Sequence, residues 1–212
     1  EEITLVCVTK GAEIDKISQA IDCGISHIGE NRIQEATDKY LKLKQLYKEP
    51  DKFSKIRWHM VGHLQTNKVD KAVEIFDLIQ SVDSLRLAKK IDSEAKKNHK
   101  TCDILIEINT SGESSKFGLK EEESLGLIEE ISKLKNIRLL GLMTIGPLSA
   151  DENKIRQSFR SLRELKEKIA KEMSFPNVKM QYLSMGMTDD YRIAIEEGSN
   201  MIRLGRAIFH DA

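Results

Sequence analysis

The sequence predicts a (β/α)8 barrel of the TIM type, and three observations carry that prediction. Short β-like runs alternate with longer amphipathic helical segments, which argues for a parallel sheet covered by helices. Eight such units follow one another at a fairly even pitch within 212 residues. Eight units in one small domain suggest a closed barrel. The turn after the first strand reads Lys10-Gly11-Ala12-Glu13. That is not the GxGxxG turn that a doubly wound open sheet, the alternative, would advertise.

Residues 3–9, rich in β-branched side chains, form the first strand. A helix over 14–22 follows, with Gly24 as its stop signal. A short strand at 27–29 precedes a helix over 33–46, and Pro50 falls in the loop after it. The third unit pairs strand 57–61 with helix 66–75, and the fourth pairs strand 78–82 with helix 84–97. Strand 102–109 (CDILIEIN) leads through a polar loop to helix 121–133. Strand 138–145 leads to a long charged helix over 151–171. Strand 179–183 precedes helix 189–197, strand 200–204 is the eighth, and Ala207 starts a final short helix. No linker, low-complexity stretch or second domain is visible, so residues 1–212 read as one barrel domain.

Lys plus Arg and Asp plus Glu each number 34, and aromatic residues are 5% of the chain. Such a balance argues against nucleic acid as a partner, and no basic tract argues for a membrane surface. Cys7, Cys23 and Cys102 are odd in number and show no CxxC spacing. They read as reduced thiols in a cytoplasmic protein, without a disulfide framework or zinc site. No apolar stretch approaches the roughly 20 residues that span a bilayer. No signal peptide is visible, and the chain starts without Met almost directly in a strand, as if a leader segment had been trimmed.

In such barrels the chemistry sits at the C-terminal ends of the strands. That rule puts Lys10, Asn31, Asn109, Met143, Ser184 and the segment from Arg203 to Arg206 around the mouth. Lys10 follows the apolar run LVCVT. Its amine suits a Schiff base or an anion, or simply ends a strand in solvent. The loops after strands seven and eight commonly bind phosphate. The first reads Ser184-Met185-Gly186-Met187-Thr188, and the second reads Arg203-Leu204-Gly205-Arg206. Their glycines permit close backbone approach, Ser184 and Thr188 offer hydroxyls, and Arg206 can pair with a phosphate oxygen. The plain alternative is that both hydroxyls only cap a helix. A mouth lysine beside a phosphate site suits pyridoxal 5'-phosphate (PLP) and suits a Schiff-base sugar-phosphate aldolase equally well.

Several long motifs, in order, make the chain resemble the YggS/PROSC family of PLP homeostasis proteins. They are LVCVTK at 5–10, IGENRIQE at 28–35, WHMVGHLQTNK at 58–68 and INTSGESSKFGL at 108–119. GLMTI at 141–145 and LSMGMTDDYRIAIEEGSNMIRLG at 183–205 complete the set. The resemblance implies a barrel like the N-terminal domain of alanine racemase, with PLP held on Lys10 as an internal aldimine. It implies that Ser184 and the Gly205–Arg206 backbone hold the phosphate and that Arg203 faces the pyridine nitrogen. Asn31 and Met143 would line the pocket. Around the lysine the family commonly has Ser-Lys-Thr-Lys-Pro, where this chain has Thr9-Lys10-Gly11-Ala12-Glu13. After the last glycine the family has Thr or Ser, where this chain has Arg206. The family's N-terminal helix is not in the sequence.

An arginine stays protonated, so Arg203 facing the ring nitrogen would weaken the ring as an electron sink. Racemisation needs an acid/base group on each face of the substrate. His59, His63, Tyr182 and Tyr191 are conceivable bases that read more naturally as structural. The expectation is therefore a non-catalytic PLP carrier, monomeric, with PLP-dependent client enzymes as transient partners. A weak amino-acid racemase is the alternative. The loop over 111–116 is polar and contains Gly112, and is expected to cover the mouth.

Overall fold

The computed structural model describes residues 2–48, 50–113 and 116–209. Eight strands form a closed barrel in sequence order: β1 (Thr4–Val8), β2 (His27–Glu30), β3 (Arg57–Met60), β4 (Leu78–Val82), β5 (Cys102–Glu107), β6 (Ile137–Met143), β7 (Val178–Ser184) and β8 (Met201–Leu204). All neighbours are parallel, and β1 closes the ring on β8 from Thr4 against Met201 to Cys7 against Leu204. The helices are α1 (Ile14–Asp22), α2 (Ile33–Leu46), α3 (Pro50–Ser54), α4 (Val69–Ile75), α5 (Leu85–Lys97), α6 (Ser124–Ser132), α7 (Glu152–Glu172), α8 (Tyr191–Glu196) and α9 (Arg206–Phe209).

Local chemistry explains most of the boundaries. α1 ends at Gly24, whose φ of +104° favours glycine, and the Ile25 N–H closes back on the Ala20 carbonyl. Ser84 caps α5 by accepting from the Leu87 N–H, and Asp151 caps α7 by accepting from the Asn153 N–H. Two predicted helices start with a 3-10 turn, at Thr66–Lys68 and Glu121–Glu123. The predicted loop at Pro50 is instead the short helix α3. Proline is at home at a first helical position, because its missing N–H would have no intrahelical partner there.

The larger hydrophobic cluster lies between strands and helices and includes Trp58, Ile79, Ile91, Ile104, Phe159 and Leu162. Each such side chain contributes about 1.5–3 kcal/mol when buried. A smaller cluster of Val6, Val61, Leu78, Leu105, Met143 and Met201 fills the barrel interior. Cys7 and Cys102 are buried and free, Cys23 is exposed and free, and burial pushes the Cys7 thiol up to about 12. Among the described residues no helix is long and apolar enough to cross a membrane. None of their His, Cys, Asp and Glu side chains form a group that could hold a metal ion.

Candidate functional site

A cavity of about 480 Å³ opens at the C-terminal ends of the strands. Lys10, Asn31, Arg203, Gly205 and Arg206 all line it, together with Thr188. Loop 145–149 and Met187 make up much of its apolar rim. Leu148 on that rim is 95% exposed. The Lys10 side chain is exposed and has no hydrogen bond or ion pair among the described residues.

Behind Lys10 the backbone is held by a buried polar cluster. The Lys39 ammonium donates to the Thr9 carbonyl at 2.6 Å and to Glu30 Oε1 at 2.8 Å. The Thr9 hydroxyl donates to the same carboxylate oxygen. Since Lys39 reaches in from α2, this cluster ties the end of β1 to the helix beside it and fixes the turn that carries Lys10.

The last two βα loops meet across the cavity. A Cβ on Gly205 would stand 3.0 Å from the Val8 carbonyl oxygen, so glycine lets β8 leave the barrel this close to β1 without crowding it. Gly186 has φ +98°, and a Cβ there would reach 2.6 Å from the Ala194 methyl. The Thr188 hydroxyl accepts from the Ala207 N–H at 3.4 Å, which joins the two loops. Arg206 turns outward to pair with Asp189 at the surface, so its guanidinium bridges the loops on the solvent side.

Arg203 is a buried cation of the site, at 4% exposure. It donates to the Ser184 hydroxyl and to the Thr144 carbonyl, both at 2.7 Å. Burial lowers its pKa to about 10, opposed by the nearby Glu107 and Asp190 charges. It therefore stays protonated at neutral pH. Glu107 is buried at the end of β5, and its carboxylate makes no hydrogen bond among the described residues. Burial raises its carboxyl to about 7, opposed by Arg203. Asn31 Oδ1 is buried without a donor. A buried acceptor left open this way costs about 1–3 kcal/mol, a cost that a bound donor would offset.

Two expected site residues do not reach the cavity. The Ser184 hydroxyl is fully buried, and it donates to Gln80 Oε1 at 2.7 Å while accepting from Arg203. Met143 is fully buried in the interior cluster. The two are paired in register across β6 and β7, one layer below the mouth. The strands end at or within two residues of the expected positions, and Ser184 and Met143 lie beneath the opening. Of the two hydroxyls in the seventh loop, Thr188 is the one that lines the cavity. Asn109 is spent on its own loop, where it donates to the Glu113 and Lys116 carbonyls.

None of the four conceivable bases lines this cavity. His59 is buried inside the barrel, and His63 stacks on Phe117 at 3.9 Å between ring centroids. Tyr182 packs against the interior cluster, and Tyr191 starts α8. Of the loop expected to cover the mouth, Ser114 and Ser115 lie outside the described residues. Lys116 lines the cavity and donates to the Gly146 carbonyl at 2.7 Å. Sequence reading passed over Gln80, although a lone amide inside the apolar run LIQSV was a visible signal.

A family model described as "Alanine racemase, N-terminal domain" matches residues 4–212, which sets the class of barrel. Among curated relatives, the Pyridoxal phosphate homeostasis protein of Aquifex aeolicus is 39% identical, over 97% of this chain and 85% of its own length. The human Pyridoxal phosphate homeostasis protein is 36% identical, over 97% of this chain and 75% of its own. The solved structure of PipY from Synechococcus elongatus with PLP bound superposes with a TM-score of 0.87 at 32% identity, covering 98% of this chain and 92% of that one. The chain belongs to the pyridoxal phosphate homeostasis protein family, within the alanine racemase N-terminal-domain class.

Proposed function

We propose that this chain is a PLP-binding protein of cofactor homeostasis that holds PLP covalently on Lys10. One observation carries the reading: an exposed Lys10 amine, without a partner among the described residues, shares a cavity with the buried Arg203 cation and the Gly205 cradle. When bound, PLP supplies an aldehyde that condenses with a primary amine and a ring that can withdraw electrons.

The residues fit such a group. The close approach at Gly205, the Arg206 and Ala207 backbone and the Thr188 hydroxyl would receive the phosphate. Asn31 Oδ1 is an open acceptor within the same cavity. Arg203 would meet the ring nitrogen with an N–H, since an arginine has five donors and no acceptor. A ring nitrogen that accepts from Arg203 carries no proton of its own, and the ring is then a weak electron sink.

That protonation state favours holding over catalysis, and we assign the chain no enzymatic turnover. Among the described residues no Tyr or His lines the cavity to act opposite Lys10. Arg206 replaces the hydroxyl usual at its position and braces loops seven and eight through Asp189. The three free thiols suit a reducing cytoplasm, where the protein would release PLP to client enzymes.

The test is the visible absorption spectrum after PLP is added, for wild type and Lys10→Ala. A yellow band in wild type and none in the variant is expected. A band of equal strength in both, or none in either, would overturn the assignment of Lys10.

A further inference from the structure

A hydrogen-bonded chain crosses the barrel interior from β8 to β2. Arg203 Nη1 donates to Ser184 Oγ at 2.7 Å, and Ser184 donates to Gln80 Oε1 at 2.7 Å. Gln80 Nε2 stands 2.9 Å from His59 Nδ1, and His59 Nε2 stands 2.9 Å from His27 Nδ1. Ser184, Gln80, His59 and Arg203 are all buried.

The polarity of this chain follows from its arginine end. Arginine has only donors, so Ser184 must accept from Arg203. The single proton of Ser184 then goes to Gln80, which must present its oxygen. The amide nitrogen is left facing His59 Nδ1, where it also lies 3.3 Å from the Met201 sulfur, a weak acceptor. His59 Nδ1 therefore accepts, and a neutral imidazole accepting at Nδ1 carries its proton on Nε2. That proton is donated to His27. Every donor points away from Arg203. Burial lowers the His59 pKa to about 3, with the His27 and Arg57 charges adding to the effect, so the ring stays neutral in use.

We infer that Gln80 and His59 are positioning residues that hold Arg203 in the orientation it presents to a ligand in the mouth. Among the described residues the Arg203 guanidinium is otherwise held only by the Thr144 carbonyl. Two contacts to different elements, β7 and the end of β6, set the plane of the guanidinium and leave its remaining N–H groups for the cavity. Without Gln80, Ser184 keeps its proton but loses its acceptor and can turn away from Arg203. This inference rests on the PLP reading for its consequence, but not for the proton positions.

The test uses the whole chain with Gln80→Leu and Gln80→Glu. In the ligand-free protein, long-range ¹H–¹⁵N correlation should find His59 neutral with its proton on Nε2. Gln80→Glu presents a carboxylate to both neighbours, so it should move a proton onto His59 Nδ1 and still accept from Ser184. With PLP titrated in, Gln80→Leu should weaken binding at least fivefold and shift the pH profile of the yellow band. Gln80→Glu should restore affinity to within about twofold of wild type. A proton on His59 Nδ1 in wild type, or equal affinity for Gln80→Leu and wild type, would overturn the inference. So would Gln80→Glu binding no better than Gln80→Leu, the result expected if Gln80 only fills space. If wild type takes up no PLP, the Lys10 reading fails while the His59 tautomer still decides the chain's polarity.

Discussion

Glu197 and Glu107 are both buried carboxylates, and the fold treats them in opposite ways. Glu197 ends α8 in the helical shell, where Arg156, Arg160 and Arg163 of α7 converge on it at 3.0–3.2 Å. Burial alone would raise its pKa, but hydrogen bonds from Arg160 and Arg156 outweigh it and leave the carboxyl below its usual value. Glu107 sits under the mouth, its carboxylate has no hydrogen bond among the described residues, and its carboxyl is pushed up to about 7. The open acceptor of Asn31 and the free amine of Lys10 belong to the same region. Where two helices must be joined, the chain satisfies its buried charge. Where a ligand enters, it leaves polar groups open. Open polar groups are not confined to the mouth, since Glu30 Oε2, Trp58 Nε1 and Ser81 Oγ are also buried without a partner, but at the mouth they face a cavity.

The largest effect that would sharpen this contrast is on the satisfied side. Glu197→Gln should lower unfolding stability by about 2 kcal/mol at neutral pH, less than a wholly buried pair because the arginines are partly exposed. A carboxyl with a lowered folded pKa stabilises above its unfolded value and loses that contribution as pH falls through the folded one. Wild type should therefore lose stability below about pH 4.5 more steeply than the variant, as read by thermal melts. Equal acid limbs would contradict the role given to the three arginines.

On the open side, Gly205→Ala should weaken PLP binding about tenfold, or about 1.4 kcal/mol. Its methyl would press on the Val8 carbonyl and push β8 away from β1. Titration by absorbance checks this, and unchanged affinity would remove Gly205 from the cradle. Glu107→Gln should be smaller and of opposite sign to Glu197→Gln. A carboxyl with a raised folded pKa costs stability as pH climbs from about 4.5 to about 7. The amide does not titrate, so the variant should be more stable than wild type at pH 8 by about 1 kcal/mol, and no more stable at pH 4. The smallest effect is at Lys10, which is exposed and unpaired among the described residues. Lys10→Ala should change stability by less than about 0.5 kcal/mol. A larger loss would show that its charge is structural.

Much of this was legible in the sequence because periodicity and punctuation agreed. The bounds of α1, α2 and β4 follow from apolar spacing and stop signals alone. The mouth residues Lys10, Asn31, Arg203, Gly205 and Arg206 follow from the rule about strand ends. Depth did not follow. Whether a strand-end residue faces the opening or the layer beneath it depends on stagger around the closed barrel, which a single sequence does not encode locally. Ser184 and Met143 end their strands as expected but do not line the cavity, whereas Thr188, four residues beyond Ser184, does. The interior chain through Gln80 and His59 joins residues more than 100 positions apart, and only the closed barrel brings them together.

The most direct test of the account is to load the protein with PLP, reduce it with borohydride, and map the modified lysine by mass spectrometry. The account predicts the phosphopyridoxyl group on the peptide carrying Lys10, with other lysines unlabelled. A label on Lys116 or Lys39 in place of Lys10, or no stable label at all, would contradict it.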